Sequence, residues 1–150
     1  MDKLLIIDDE KSILDMLKIA FEKENYEVDT ALSADRAFTM IEQGDYDLVL
    51  SDIRLPQKSG MDILKYVRKN KPEIPVIMIT AYGTIKQAVE AFKAGALDYV
   101  VKPFDMEELK IIVAKGLEKR KLREENIQLK RELQEKYRFD NMIGKSLAIQ

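Results

Sequence analysis

Short runs of consecutive apolar residues separate longer amphipathic stretches along most of this chain. The three strongest runs, Leu4–Ile7, Leu48–Leu50 and Val76–Ile79, are continuous rather than alternating in polarity. Strands that are buried on both faces of a parallel sheet have this pattern. Two weaker runs, Tyr26–Thr30 and Tyr99–Val101, bring the number of predicted strands to five.

Between these runs, apolar residues recur at helical spacing. The predicted helices cover residues 12–24, 34–43, 60–70, 85–94 and 106 onward. Strand and helix therefore alternate five times, which is typical of βαβ units. Right-handed crossovers in such units place helices on both faces of one sheet. The sequence thus predicts a doubly wound α/β fold with a five-stranded parallel sheet.

The composition restricts the chemistry that this fold can carry. The 150 residues include no cysteine and no histidine, and the net charge is -2. Disulfides, thiolate chemistry and histidine-based sites are excluded, so a metal would need oxygen ligands. The charge favours neither nucleic acid nor a membrane surface as a direct partner. The first apolar run is too short for a signal peptide or a membrane span, so a cytoplasmic protein is predicted.

Chemically reactive side chains stand where the predicted strands end. Asp8 and Asp9 follow the first strand, Asp52 follows the third, Thr80 closes the fourth and Lys102 closes the fifth. In a parallel sheet these positions share one edge, where doubly wound folds bind their ligands. Clustered carboxylates repel one another, and Mg²⁺ with oxygen ligands would relieve the repulsion. An Asp pair after a strand is also an ordinary helix cap, but four coordinated placements favour a functional site.

The charges of these groups match the transfer of a phosphoryl group. Asp52 would be the nucleophilic carboxylate that forms an aspartyl-phosphate. Asp8 and Asp9 would hold Mg²⁺, Lys102 would neutralise one phosphoryl oxygen, and Thr80 would donate a hydrogen bond to another. Such transfer is catalysed mainly by positioning and electrostatic stabilisation, so the absence of histidine is no obstacle.

The motifs at these strand ends resemble the receiver domain of bacterial two-component response regulators. In chain order they are Asp8-Asp9-Glu10, Asp52-Ile53-Arg54-Leu55-Pro56, Gly60, Thr80-Ala81 and Lys102-Pro103-Phe104. The resemblance covers roughly residues 3 to 120. It implies a flavodoxin/CheY-like fold and a phosphorylation-dependent switch in which a sensor histidine kinase phosphorylates Asp52. It also implies a regulatory domain rather than an enzyme, with self-catalysed Mg²⁺-dependent phosphotransfer and slow autodephosphorylation as its only reactions.

The same resemblance assigns individual ligands and a readout. The direct Mg²⁺ ligands would be Asp9, Asp52 and the main-chain carbonyl of Arg54, with Asp8 acting through water. Thr80 and Tyr99 match the family's switch pair, in which the hydroxyl moves toward the phosphoryl group and the aromatic ring rotates inward. The bond that precedes Pro103 matches a cis peptide of the family.

The composition changes after residue 117. Residues 118–138 are dominated by Glu, Lys, Arg, Gln and Leu without Gly or Pro, which predicts a helical linker that continues the last helix. Coiled-coil spacing places Leu122 and Leu129 at d positions and Asn126 and Leu133 at a positions, over about two heptads. A parallel homodimer through the linker and the receiver is predicted, and a solvated single helix is the alternative.

The tail also bears on what the switch controls. Residues 80–84, the long helix and residues 139–146 resemble NtrC-type activators of sigma-54 RNA polymerase. The resemblance implies a receiver at 1–117, a coiled-coil linker at 118–138 and, at 139–150, the start of a truncated AAA+ ATPase domain that the receiver regulates. Gly144-Lys145-Ser146 lacks the upstream glycine of a P-loop, so nucleotide binding is not expected here.

Three other functions remain open from the residues. A receiver could control a different output domain. A Mg²⁺-dependent phosphatase of the haloacid dehalogenase type also uses an Asp nucleophile, but it has a second Asp two residues later, where this chain has Arg54. A flavin-binding, flavodoxin-like module needs a loop rich in hydroxyls and glycine after the first strand, where this chain is acidic.

Overall fold

The computed structural model describes the backbone of residues 1–149 and the side chains of residues 1–138. Within this part of the chain, strands and helices alternate from the first strand to a long last helix. The elements in order are β1 (Lys3–Ile7), α1 (Lys11–Lys23), β2 (Glu27–Ala31), α2 (Ala34–Gln43), β3 (Leu48–Asp52), α3 (Gly60–Asn70), β4 (Val76–Thr80), α4 (Ile85–Lys93), β5 (Asp98–Val101) and α5 (Met106–Ile149).

The five strands form one parallel sheet in the order β2-β1-β3-β4-β5. The direction of winding reverses between β1 and β3, which are hydrogen-bonded neighbours at the centre of the sheet. Doubly wound sheets bind their ligands outside the carboxyl ends of the strands at such a switch point. The predicted α/β fold with a five-stranded parallel sheet is confirmed.

Each face of the sheet is covered by its own apolar cluster. Leu5 of β1 belongs to a cluster with Ile41 of α2, whereas its neighbour Leu4 belongs to a cluster with Phe21 of α1 and Val113 of α5. All five side chains are fully buried. Full burial of an aliphatic or aromatic side chain contributes about 1.5–3 kcal/mol. The hydrophobic effect therefore fixes both faces, and the polar side chains that follow the strands remain at the carboxyl edge.

The chain divides into two compact units, Met1–Leu117 and Glu118–Gln150. In the second unit, the side chains of Leu122, Leu129 and Leu133 are 57%, 57% and 65% exposed, and Asn126 is exposed too. The ATPase start expected at 139–150 lies outside the residues whose side chains are described, and the domain assignment stays a prediction. Among the described helices, none combines the length and apolarity needed to cross a bilayer. The cytoplasmic location likewise stays a prediction.

Candidate functional site

Three carboxylates from two strand ends meet at the carboxyl edge of the sheet. One oxygen from each of Asp8, Asp9 and Asp52 lies within 4.8 Å of the others. Asp8 and Asp52 are buried, with exposed fractions of 3% and 6%, whereas Asp9 is exposed to solvent. Thr80, at the end of the neighbouring β4, is fully buried. The parallel sheet thus brings together groups that are far apart in the sequence.

Lys102 bridges the two buried carboxylates. Its Nζ lies 2.8 Å from Asp8 Oδ2 and 2.9 Å from Asp52 Oδ2, and its side chain is 15% exposed. The following peptide bond to Pro103 is cis, as predicted. Three carboxylates therefore face one ammonium group. A divalent cation would balance the remaining negative charge.

The ionisation of this cluster reflects burial and pairing together. Burial raises the pKa of Asp52, while the hydrogen bond from Lys102 and the main-chain N–H of Arg54 limit the rise. Burial alone would lower the pKa of Lys102, but its hydrogen bonds to Asp8 and Asp52 and their charges raise it overall. Lys102 is therefore held as a cation, and it stabilises the charged form of the carboxylate beside it.

The local backbone holds one oxygen of each buried carboxylate. Asp8 Oδ1 accepts a hydrogen bond from the N–H of Glu10 at 2.9 Å, and Asp52 Oδ1 accepts one from the N–H of Arg54 at 3.1 Å. Thr80 Oγ1 accepts the N–H of Tyr82 at 3.1 Å, and a hydroxyl group can donate a hydrogen bond as well as accept one. These turn-type contacts fix the direction of each side chain.

Gly60 sits directly against the backbone of the site. A Cβ at this position would lie 2.1 Å from the carbonyl oxygen of Asp52 and 2.9 Å from Cα of Ile53. The N–H of Gly60 donates to the carbonyl of Ile53 at 2.7 Å, and Ser59 caps the helix that begins here. The close approach explains why the motif has glycine at this position, and it places the start of α3 against the end of β3.

The expected switch residues are neighbours on β4 and β5. Tyr99 is half-buried, and its hydroxyl donates to Gln87 Oε1 of α4 at 2.8 Å. Burial raises the pKa of Tyr99, and the nearby main chain of Thr84 and side chain of Thr80 limit that rise. The Tyr99 hydroxyl therefore contacts α4 while it lies close to the buried threonine.

Two contacts near the site were not foreseen from the sequence. One is the hydrogen bond from Tyr99 to Gln87. The other is a stack of the Arg54 guanidinium on the ring of Tyr82, with 3.8 Å between Cζ and the ring centroid. A matching spacing in the sequence could have indicated the second contact, since Arg54 and Tyr82 each stand two residues after a site residue.

Comparison with known proteins agrees with this geometry. The family model for the response regulator receiver domain matches residues 4–114. This chain belongs to the response regulator receiver family. The matched range contains the carboxylates, the threonine and the lysine that meet at the sheet edge, so the chain is a receiver domain of two-component response regulators.

The whole chain is similar to a curated regulator over nearly all of its length. It is 35% identical over 148 residues to regulatory protein AtoC of Escherichia coli strain K12, an alignment that covers 99% of this chain and 32% of AtoC. The chain thus spans about a third of the length of this relative. The alignment continues beyond the receiver into the tail.

Two solved receiver structures are also similar to this one. Response regulator protein TrrA from Thermotoga maritima, crystallised in complex with Mg²⁺ and BeF, has a TM-score of 0.71 and 38% identity, covering 77% of this chain and 99% of TrrA. The beryllofluoride-activated NtrC4 receiver domain dimer, solved in solution, has a TM-score of 0.77 and 31% identity, covering 80% of this chain and 99% of that receiver chain.

Proposed function

We propose that this receiver accepts a phosphoryl group on Asp52 from a sensor histidine kinase in a Mg²⁺-dependent reaction. The observation that carries the proposal is the position of the Asp52 carboxylate. It has one oxygen 2.9 Å from the Lys102 ammonium and an oxygen within 4.8 Å of carboxylate oxygens of Asp8 and Asp9. A phosphoryl group on this oxygen would find positive charge and a cation site beside it.

The donor set fits Mg²⁺. The available ligand atoms are carboxylate and carbonyl oxygens, which this hard cation prefers, and one or two carboxylates with water and phosphate oxygens are its usual shell. Asp9, Asp52 and the main-chain carbonyl of Arg54 would hold the ion directly, with Asp8 acting through water. When bound, the cation would neutralise charge on the phosphoryl oxygens.

The chemical step needs few protein groups. An oxygen of Asp52 forms a bond to phosphorus while the bond from phosphorus to the imidazole nitrogen of the kinase phosphohistidine breaks. The electron pair goes to that nitrogen, which then takes a proton from solvent. Lys102 stabilises charge on one equatorial oxygen, and the Thr80 hydroxyl donates a hydrogen bond to another. Hydrolysis by water would later return Asp52 to its carboxylate form.

The same groups would serve as the readout. Thr80 would move toward the phosphoryl oxygen, and Tyr99 would rotate inward behind it, exchanging its bond to Gln87 for a buried position. A ligand shifts such an equilibrium only by binding the two states unequally. The new Thr80 hydrogen bond supplies part of that difference, and α4 would carry the change outward.

Substitution of Asp52 by asparagine tests the acceptor. With acetyl phosphate and Mg²⁺, the wild-type mass should rise by one phosphoryl group, because the carboxylate is the nucleophile. The asparagine variant should show no rise, since its amide nitrogen and oxygen are poor nucleophiles. Asp62→Asn is the control, as Asp62 is the exposed capping residue at the start of α3. Equal phosphorylation of wild type and Asp52→Asn would refute the proposal.

Substitution of Asp9 by asparagine separates metal binding from folding. The structure gives Asp9 no hydrogen bond or ion pair among the described residues, so its charge only adds repulsion in the metal-free protein. We expect Asp9→Asn to raise the free energy of unfolding without Mg²⁺ by about 0.5 kcal/mol. Its affinity for Mg²⁺ should fall at least about tenfold. Urea unfolding with and without Mg²⁺ measures both, and an unchanged Mg²⁺ affinity would exclude Asp9 as a ligand.

We propose that the full protein is an NtrC-type activator of sigma-54 RNA polymerase, in which this receiver regulates an ATPase domain beginning at residues 139–150. The tail motifs support this assignment. So does the similarity to AtoC, which continues past the receiver to cover 99% of the chain. Direct contact with nucleic acid is not expected from the residues 1–138.

We further propose a homodimer formed through the linker at 118–138 and the receiver. The leucines at a and d positions support it, because more than half of each of Leu122, Leu129 and Leu133 is exposed and a second helix would cover them. Sedimentation should show a shift from monomer toward dimer when Mg²⁺ and beryllofluoride are added. Leu129→Glu should keep the protein monomeric, whereas Arg131→Glu, at an f position on the side of the helix away from the seam, should not. A wild-type chain that stays monomeric before and after treatment would refute the linker proposal.

A further inference from the structure

The Arg54 guanidinium and the Tyr82 ring form a contact that spans two loops beside Asp52. Arg54 belongs to the loop between β3 and α3, and Tyr82 belongs to the loop between β4 and α4. Cζ of Arg54 lies 3.8 Å from the ring centroid. Arg54 is exposed and Tyr82 is 57% exposed, so core packing does not force them together. The contact is a cation–π pair, in which the ring face attracts the charge.

Both partners are anchored next to the reacting groups. The N–H of Arg54 donates to Asp52 Oδ1 at 3.1 Å, and the N–H of Tyr82 donates to Thr80 Oγ1 at 3.1 Å. The stack therefore links the loop of the phosphoacceptor to the loop that follows the switch threonine. A displacement of either loop therefore moves the backbone that carries one partner of this contact.

The positive charge of Arg54 is not paired with an acidic side chain in the described part of the chain. Among the described residues, its guanidinium forms no ion pair. The Arg54 guanidinium lies on a long, flexible side chain beside Asp52. Its planar fork of N–H groups can donate two hydrogen bonds to two oxygens of a phosphoryl group. The phosphoryl group would add about -1.5 to -2 of charge and three acceptor oxygens. Hydrogen bonds of that kind are stronger than a stack on an exposed ring.

We propose that the Arg54–Tyr82 stack is a clasp that holds the β4–α4 loop in its unphosphorylated arrangement and opens when the guanidinium transfers to the phosphoryl group. The inference rests on the proposed function, because it needs a phosphoryl group on Asp52. Opening frees the Tyr82 loop to move together with Thr80. The clasp thus opposes activation in the unphosphorylated protein. After phosphorylation, the contact of the guanidinium with the phosphoryl group favours activation.

The clasp can be followed by NMR with Mg²⁺ and beryllofluoride as the phosphoryl mimic. The ring current of Tyr82 should shift the Arg54 Nε–H resonance upfield in the untreated protein. The upfield shift should disappear in Tyr82→Ala and persist in Tyr82→Phe, which keeps the ring. On addition of beryllofluoride to wild type, the resonance should move downfield as the guanidinium binds fluoride.

Amide exchange reports the consequence for the loop. Without beryllofluoride, the amides of residues 83 and 84 should exchange about two- to fivefold faster in Tyr82→Ala than in wild type, while Tyr82→Phe should match wild type. With beryllofluoride, the amides of residues 83 and 84 in wild type should exchange as fast as they do in untreated Tyr82→Ala. Since Tyr82 is exposed, melting followed by circular dichroism should show that Tyr82→Ala still folds.

Two results overturn the clasp. One is an Arg54 resonance that does not move when beryllofluoride binds, and the other is exchange in untreated Tyr82→Ala equal to that of wild type. Fluorine NMR separates these failures from failure of the proposed function. Absence of a bound beryllofluoride signal in wild type would refute phosphorylation at Asp52 and the clasp with it, whereas normal binding with an unmoved Arg54 would refute the clasp alone.

Discussion

Replacement of Lys102 by methionine is expected to destabilise the metal-free receiver by about 2 kcal/mol and to slow phosphoryl transfer on the order of a hundredfold or more. The ammonium is the only cation within ion-pair distance of the buried carboxylates of Asp8 and Asp52 among the described residues. Its removal leaves two buried anions facing each other. It also removes the charge that would stabilise a phosphoryl oxygen.

The loss of stability should depend on pH. Burial already raises the pKa of Asp52 above its ordinary value, and removal of Lys102 should raise it further. A carboxyl group whose pKa is raised in the folded state favours folding below its unfolded pKa, and that contribution is lost as pH rises through the folded pKa. The penalty in Lys102→Met should therefore be small in acid and largest at neutral and alkaline pH.

Lys110→Met is a suitable control for Lys102→Met. Lys110 also pairs with two acids, Glu24 at 3.3 Å and Glu107 at 3.2 Å, but its acidic partners are 47% and 79% exposed. Exposed pairs contribute less than about 1 kcal/mol. Urea unfolding and the acetyl-phosphate reaction measure both effects. Saturating Mg²⁺ should restore part of the stability of Lys102→Met. Equal stability and equal reaction rates of Lys102→Met and Lys110→Met would contradict the role assigned to Lys102.

Replacement of Gly60 by alanine is expected to cost about 3 kcal/mol, a large share of the stability of a domain of this size. The added Cβ would lie 2.1 Å from the Asp52 carbonyl oxygen and 2.9 Å from Cα of Ile53. Both are backbone atoms, so no side-chain rotation relieves the overlap. The start of α3 or the end of β3 must shift, and the second outcome would move Asp52 away from Lys102.

Gly116→Ala provides the matched comparison. Its Cβ would lie 2.8 Å from Leu97 Cδ2 and 3.0 Å from Leu48 Cδ1, which are the mobile ends of side chains. Alanine within a helix also gains about 1 kcal/mol over glycine. The net change at this position should therefore stay within about 1 kcal/mol. Urea unfolding followed by circular dichroism measures the free energy of unfolding of both variants. A Gly60→Ala variant as stable as wild type would disprove the close approach at the site.

Strand positions in the centre of the sheet could be predicted because both faces are buried. Val76–Ile79 is a continuous apolar run, and β4 ends one residue later at Thr80. The sequence pattern predicts the edge strand β2 at Tyr26–Thr30, which is one residue early at each end. Its bounds follow from pairing of Glu27 to Ala31 with β1, and a single sequence does not show which residues pair.

The site could be predicted in outline for a different reason. In a parallel sheet the carboxyl end of each strand is fixed at one edge, so the positions of Asp8, Asp52 and Lys102 follow from the strand order. Contacts between side chains of separate loops do not follow from it. The stack of Arg54 on Tyr82 depends on loop paths that only the three-dimensional structure gives.

A crystal structure of the protein grown with Mn²⁺ in place of Mg²⁺, together with beryllofluoride, would show where the cation and the phosphoryl mimic bind relative to Asp52. We expect an anomalous scattering peak bound by Asp9, Asp52 and the Arg54 carbonyl oxygen. Beryllium should be bonded to an oxygen of Asp52 and its fluorides should contact Lys102 and Thr80. A metal peak away from these oxygens, or beryllofluoride on any other carboxylate, would contradict the proposed function.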